Sequence, residues 1–292
     1  MCMVNRIIRN PYILIAPAII LVSIFSLYPI LFALRVSFMN WDTVLGTKEY
    51  VGFKNYIIIF KDPVFWKVLR NTLIFAFFTV VIGIVLAFVI GIFLRKNRLS
   101  DNLVQSVIFT PNILSAVSVT VMWMWLMDPN VGILNFVLKW LGLPTLKWMM
   151  SPDTSLMSII IVSIWKGLGY NVMIVIAGLQ SIPRYIYEAA KLDRAGRWTT
   201  LFRITLPLLS PTLFFLLITS IISSFSAFDV VSLMTNGGPE NSSNLIVYWI
   251  YQIGFLQFNI GKASAGSILF MIMVGIIAVI NYAFFNKKVH YQ

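Results

Sequence analysis

Residues 188–211 read EAAKLDRAGRWTTLFRITLPLLSP, a polar and basic stretch set between two of the most apolar segments of the chain. On its N-terminal side stands SIIIVSIWKGLGYNVMIVIAGL, residues 158–179, and on the other side an apolar run over about 208–228. Each of these is close to the roughly 20 apolar residues that an α-helix needs to cross the hydrocarbon core. The stretch between them is therefore a loop joining two membrane spans. Within the loop, 181–207, Pro183 suits a first helical turn. Tyr187, Ala190, Lys191 and the stem of Arg194 then follow helical spacing, Gly196 permits a reversal, and Trp198, Leu201 and Phe202 open a second amphipathic piece. Pro207 and Pro211 mark its entry into the next span. Such a loop either presents a surface to a soluble partner or lies on the headgroups as a basic amphipathic linker.

The same reading extends along the chain. Of its 292 residues 59% are hydrophobic and 11% charged, with mean hydropathy +0.89, which belongs to an integral membrane protein. Six stretches qualify as spans, at about 12–34, 71–94, 103–126, 155–179, 208–228 and 264–285. The expected fold is all-α, one six-helix membrane domain over residues 1–292. The first span is read as uncleaved, because it is long for a signal core and lacks a small-residue cleavage pattern.

Net charge is +12, and topology rather than nucleic acid accounts for it. With six spans the termini share one side with 95–102 and 180–207, and those segments carry 12 Lys and Arg in 54 residues, against 9 in 99 for the opposite loops. The denser side is expected to be cytoplasmic, so both termini and the 181–207 loop face the cytosol. Loop 127–154 holds GILNFVLKWLGLP, read as a short helix at the outer interface ended by Gly142 and Pro144, and loop 229–263 holds the turn cluster TNGGPENSSN followed by LIVYWIYQIGF, a candidate interfacial helix. The outer loop after the first span lacks low-complexity composition and is expected to fold against the bundle.

Cys2 and His290 are the sole cysteine and histidine. An intramolecular disulfide, a His/Cys metal site and His-based catalysis are thereby excluded. No GxxxxGK[ST] phosphate loop occurs, so the chain encodes no ATPase of that type. No catalytic residue, metal ligand or cofactor is expected in it.

Ionisable and polar groups inside spans default to function. Ser163, Lys166, Gly167 and Tyr170 fall at i, i+3, i+4 and i+7 of the fourth span, and Ser220, Ser223, Ser224 and Ala227 share one face of the fifth. Facing one another, they would line a wet, hydrogen-bonding cavity. Close helix packing through the serines and an outward-snorkelling Lys166 are the structural alternatives.

Glu188-Ala189-Ala190, with Ile204, Leu206 and Pro207 following at the expected offsets, resembles the EAA loop of membrane subunits of bacterial binding-protein-dependent ABC importers. LQSIPRYIYEAA, SLYPILFALRVSF, VGFKNY, DPVFW, LMTNGGP and KVHYQ resemble its carbohydrate group, the maltose and glycerol-3-phosphate type permeases. The resemblance implies a type I importer permease fold, with the family's transmembrane region at about 68–285, in the bacterial cytoplasmic membrane. It implies a second, similar permease subunit, two ATP-binding subunits that carry ATP and Mg, and an extracellular solute-binding protein. It also implies that Glu188 pairs with a basic group on the ATPase while Ala189 and Ala190 permit close approach. Where the family pattern has Gly six residues after the Glu, this chain has Arg194. Either Gly196 takes over the turn or Arg194 is held in it under strain.

The function expected from the resemblance is ATP-driven import of a sugar or oligosaccharide, sugar binding being expected between the fourth and fifth spans. Uptake of a phosphorylated polyol such as glycerol-3-phosphate, with Lys166 binding the anion, is the alternative. A secondary carrier fits less well, since the spans lack coupling carboxylates apart from Asp229 and show no twofold repeat. An intramembrane enzyme lacks a nucleophile and base.

Overall fold

The structure, a computed structural model, describes residues 11–42, 46–95 and 98–285. Cys2 and His290 lie outside the described residues. Two compact units are distinguished, Met1–Asp62 with Ile250–Ile272, and Pro63–Trp249 with Met273–Gln292.

In the first unit the span α1, Tyr12–Ser37, leads into an antiparallel hairpin of β1, Met39–Asp42, and β2, Thr47–Tyr50, with Met39 opposite Tyr50. Helix α2, Lys54–Lys61, follows. The hairpin is the one sheet among the described residues, and it forms because the aromatic run after α1 pairs with a strand across the turn at Gly46. Buried Asn55 ties these pieces together, its Nδ2 donating to the carbonyls of Ser37 and Met39, both at 2.9 Å. Asp62 and Lys262 form an ion pair at 3.2 Å. The described part of the segment after the first span thus carries regular structure of its own.

The second unit holds α3, Pro63–Leu94; α4, Leu99–Ile113; α5, Ala116–Leu126; α6, Ile133–Trp140; α7, Ser155–Ser181; α8, Arg184–Leu192; α9, Leu206–Phe225; α10, Phe228–Met234; and the start of α11, Ile246–Tyr251. Arg197–Thr205, ending in a π-helical turn, leads into α9. The last span, α12, runs Ile260–Phe285. Helix α7 sits at the centre. A Cβ on Gly169 would stand 2.3 Å from the Ile108 carbonyl oxygen of α4, and one on Gly178 would stand 2.5 Å from Thr212 Oγ1 of α9. Small residues let helices approach where no hydrophobic force separates protein from lipid. An aliphatic core of Ala87, Val172, Val175, Ile176, Leu179, Leu209 and Leu216 joins α3, α7 and α9.

Three expectations change in detail. Residues 103–126 are not one straight span, for α4 and α5 meet at 101°. Pro111 in the last turn of α4 removes a backbone donor, and Leu114 and Ser115 are extended. Helix α11 is packed into the protein rather than laid on its surface: Ile246, Tyr248 and Trp249 are all buried. Helix α3 starts at Pro63, well before residue 71, because KDPVFW supplies a helix N-terminus with Pro in its first turn.

Helix α6 keeps the amphipathic character read from its sequence. Phe136 and Trp140 are exposed, whereas Asn135 is buried and donates to the carbonyls of Pro129 and Leu146 while its Oδ1 accepts from Leu146 N and Trp148 Nε1. In the turn before it, the backbone N–H groups of Val131 and then Asn130 hold the Asp128 carboxyl below its ordinary pKa.

Candidate substrate cavity and coupling surface

Helices α3, α7 and α9 run side by side, and between them, with the end of α4, lies a cavity of about 230 Å³. Its lining combines Thr79 and Gly83 of α3, Asn112 of α4, Ser163, Gly167, Tyr170 and Asn171 of α7, and Thr219, Ser220, Ser223 and Ser224 of α9, with Ala227 just beyond. The structure therefore brings Ser163, Gly167, Tyr170, Ser220, Ser223, Ser224 and Ala227 to one place. Lys166 is not among the lining residues. It is half-buried and makes no hydrogen bond or ion pair with another described residue.

The hydroxyls of the lining divide into two groups. Thr79, Ser163, Thr219 and Ser224 donate to carbonyls one turn back on their own helices, at 2.6 to 3.0 Å for their shortest bonds. They keep only acceptor capacity for a ligand. Asn112, Tyr170, Asn171, Ser220 and Ser223 have no partner among the described residues, so their donors and acceptors are open to the cavity. No charged side chain lines it. Gly167 leaves it room, for nothing lies within 4 Å of where its Cβ would be.

Thr79, Gly83, Asn112, Asn171 and Thr219 went unread in the sequence. In α3 and α9 a lone Thr in an apolar run looks like helix packing, and Asn112 follows the Pro111 that ends α4. Asn171 offered a signal, as an amide near the middle of a span beside Tyr170.

The loop after α7 forms α8, whose two faces differ. Tyr185, Glu188, Ala189 and Leu192 are exposed, and Ala190 is buried with Ile186 and Tyr187 partly covered beside it. Ala190 thus packs inward in this chain. Glu188 and Ala189 stand on the free face. Leu192, Trp198 and Phe202 are 84%, 73% and 58% exposed, and the last two rings stack with centroids 5.9 Å apart.

The turn ending α8 settles on Arg194, at φ +54°, while Gly196 is extended at φ −66°. Ala195 N donates to Ala190 O at 2.9 Å and Arg194 N to Lys191 O at 3.0 Å. These two bonds make a Schellman motif, with Arg194 at the left-handed position where Gly is usual. The turn has not moved to Gly196. Arg194 is exposed, so backbone hydrogen bonds rather than side-chain burial hold it there.

Residues 79–291 match the family described as binding-protein-dependent transport system inner membrane component. The chain belongs to this family. The sn-glycerol-3-phosphate transport system permease protein UgpA of Pectobacterium atrosepticum is 32% identical over 289 residues, covering 97% of this chain and 96% of that protein. Its counterpart in Agrobacterium fabrum is 29% identical, covering 98% and 97%. Among solved structures, a chain of a bacterial ABC transporter involved in import of the acidic polysaccharide alginate superposes with a TM-score of 0.85 at 22% identity, covering 99% of this chain and 100% of that one. A second alginate transporter structure, in complex with a periplasmic protein bound to alginate pentasaccharide, gives 0.82 at 24% identity, covering 96% and 95%. The fold is that of an ABC importer permease, a multi-pass inner membrane component of binding-protein-dependent transport.

Proposed function

We propose that this permease subunit translocates a neutral sugar or oligosaccharide across the cytoplasmic membrane by alternating access, driven by ATP hydrolysis on separate subunits. The observation that carries the substrate class is the cavity between α3, α7 and α9, rich in hydroxyl and amide groups and free of charged side chains. Sugar hydroxyls both donate and accept, and so do the unpartnered Asn112, Tyr170, Asn171, Ser220 and Ser223. A phosphate or uronate would leave its charge in a low-dielectric span without a cation, at a cost of several kcal/mol, roughly.

The second reading is a phosphorylated polyol such as glycerol-3-phosphate, favoured by the names of the relatives. It needs Lys166 in the cavity, and Lys166 stands outside the lining. Arg and Lys clusters are the usual recognisers of a doubly charged phosphate, and the cavity contributes none.

Coupling is assigned to α8 and the segment after it. The exposed face of Tyr185, Glu188, Ala189 and Leu192, with the exposed Trp198 and Phe202, suits burial against a soluble subunit. Glu188 is the group that meets a basic side chain of the ATP-binding subunit there. Two such subunits, a second permease chain and an extracellular solute-binding protein complete the importer, with both termini and α8 on the cytoplasmic side.

The test is reconstitution of the assembled importer in liposomes, with uptake of labelled oligosaccharide and of labelled glycerol-3-phosphate measured in parallel. ATP-dependent oligosaccharide uptake that the lone chain does not support is expected. Uptake by the lone chain would overturn the ATP-driven reading, and uptake confined to the phosphate ester would overturn the substrate class.

A further inference from the structure

A second concavity lies at the other end of α3 and α7, away from the substrate cavity. It is an open groove of about 580 Å³ lined by Arg95, Arg98, Leu179, Gln180, Ile182, Arg184 and Tyr187. Its three arginines come from separate elements. Arg95 follows α3, Arg98 precedes α4, and Arg184 opens α8. No carboxylate pairs with any of these guanidinium groups among the described residues. Asp101, the closest acidic residue in sequence, accepts instead from the backbone N–H of Arg98 at 3.2 Å. Arg95 is held over the Tyr187 ring, 5.3 Å from its centroid, and the Tyr187 hydroxyl accepts from Thr205 at 3.4 Å. Three like charges line one groove, and no carboxylate among the described residues pairs with them.

We propose that this groove binds the phosphate of an anionic phospholipid headgroup and thereby links the α3–α4 connection to the coupling helix α8. Guanidinium groups bind phosphate oxygens through paired N–H donors, and the first turn of α8 adds free backbone donors at Arg184. The choice of lipid over a free anion rests on position. The groove sits where the apolar spans α3 and α7 end, the level at which a span of that length would meet headgroups. Phe93 and Leu99, flanking Arg95 and Arg98 in sequence, are 73% and 81% exposed, as suits side chains that meet acyl chains. Basic groups near a membrane surface each contribute on the order of 1 kcal/mol toward anionic lipid, about fivefold in affinity. Because Tyr187 carries both Arg95 and Thr205, an occupied groove steadies the inner face of the coupling helix. Coupling then depends on the lipid composition of the inner leaflet. This rests on the orientation proposed above, which puts α8 on the cytoplasmic side.

The experiment uses the assembled importer in nanodiscs of phosphatidylcholine with and without phosphatidylglycerol, with retained lipid read by native mass spectrometry and ATPase activity in parallel. The expected result is preferential retention of phosphatidylglycerol and a higher substrate-stimulated ATPase rate in its presence. Single Arg95→Gln, Arg98→Gln or Arg184→Gln changes should lower retention about fivefold each, and the triple change on the order of a hundredfold. The triple Arg→Lys variant keeps the charge and should retain most of the lipid, which separates lost binding from lost folding. Inorganic phosphate added to phosphatidylcholine discs supplies the free-anion arm: if it raises the ATPase rate as phosphatidylglycerol does, the lipid assignment is overturned. Unchanged retention in the Gln variants, or loss of the ATP-binding subunit with lipid retention intact, overturns the proposal, the latter in favour of a protein partner. An impermeant maleimide on Arg98→Cys, in a Cys2→Ser background, reads orientation independently. Labelling from outside intact cells would reverse the orientation whatever the lipid result.

Discussion

Gly83 of α3 faces Asn171 of α7 so closely that a Cβ on Gly83 would stand 3.3 Å from Asn171 Nδ2, and both residues line the cavity. The glycine therefore sets where the amide points. Gly83→Ala should turn Asn171 without unfolding the bundle, because one flexible side chain has to yield by a few tenths of an ångström. A roughly fivefold rise in the half-saturating concentration for uptake is expected, equivalent to the loss of about 1 kcal/mol, one net hydrogen bond. The check is concentration-dependent uptake by the reconstituted complex, with thermal stability measured alongside.

Gly167→Leu probes the cavity from its open side. Nothing lies within 4 Å of the new Cβ, so the larger side chain should fill ligand space rather than push on protein. Uptake should fall by at least about 100-fold while the complex still assembles, as seen by size exclusion. Retained uptake would place the substrate path elsewhere.

Lys166→Met removes a charge at nearly constant volume. Since Lys166 stands outside the lining, oligosaccharide uptake should stay within about twofold of the parent, the ordinary scale for a substitution away from packed or paired groups. Selective loss of glycerol-3-phosphate uptake in the same assay would count for the phosphate-ester reading.

Glu188→Lys places a cation on the free face of α8 where a basic partner group is expected. Membrane insertion should be normal, whereas transport and substrate-stimulated ATP hydrolysis should drop by about tenfold or more, the effect of like charges meeting at an interface. Undiminished coupling would remove Glu188 from the interface.

Arg194 divides two substitutions. Arg194→Gly relieves about 1 kcal/mol of left-handed strain and gives part of it back through the greater freedom of Gly in the unfolded chain. Assembly and ATPase association should survive, as a pull-down would show. Arg194→Val forces a β-branched residue to φ +54° and should weaken that association.

The fold was legible because hydropathy, which marks spans, depends on composition over about 20 residues and not on neighbours. The candidate cavity was legible in part, since helical spacing alone gathers Ser163, Gly167 and Tyr170 on one face of α7, and Ser220, Ser223 and Ser224 on one face of α9. Spacing does not say how far round a face reaches. Lys166 shares the register of Gly167 but falls outside the lining, while Thr79, Asn112 and Asn171 enter it from helices whose rotation only packing decides. The same holds for Ala190, whose inward position depends on which side of α8 the core lies. The Arg194 turn was ambiguous in sequence because Gly196, two residues on, could equally have carried the positive φ; the hydrogen bonds from Ala195 and Arg194 settle it.

At the end of α3 remote from α8, side chains stitch the helix to loop 240–246. Lys67 donates to Glu240 O, Asn71 to Asn241 O and Asn244 O, and the Ile246 amide to Thr72 Oγ1, at 2.6 to 3.2 Å. Apart from the exposed Lys67 bond, separating these elements would leave buried donors and acceptors unmet, at about 1–3 kcal/mol apiece. Toward α8 the helix instead meets α7 and α9 through aliphatic contacts at Ala87, Val175 and Leu209, which can slide past one another with no directional bond to break. One end of α3 is held by several directional bonds, the other chiefly by apolar packing, with Gln105 Nε2 donating to Leu94 O at 3.0 Å. If α8 couples as proposed, a displacement delivered there would pivot α3 about the region of Asn71. Thr79 and Gly83, two to three turns from that pivot, would travel only part of the stroke. A ligand held in the candidate cavity would then lie between the pivot and the moving end, where small movements change its contacts.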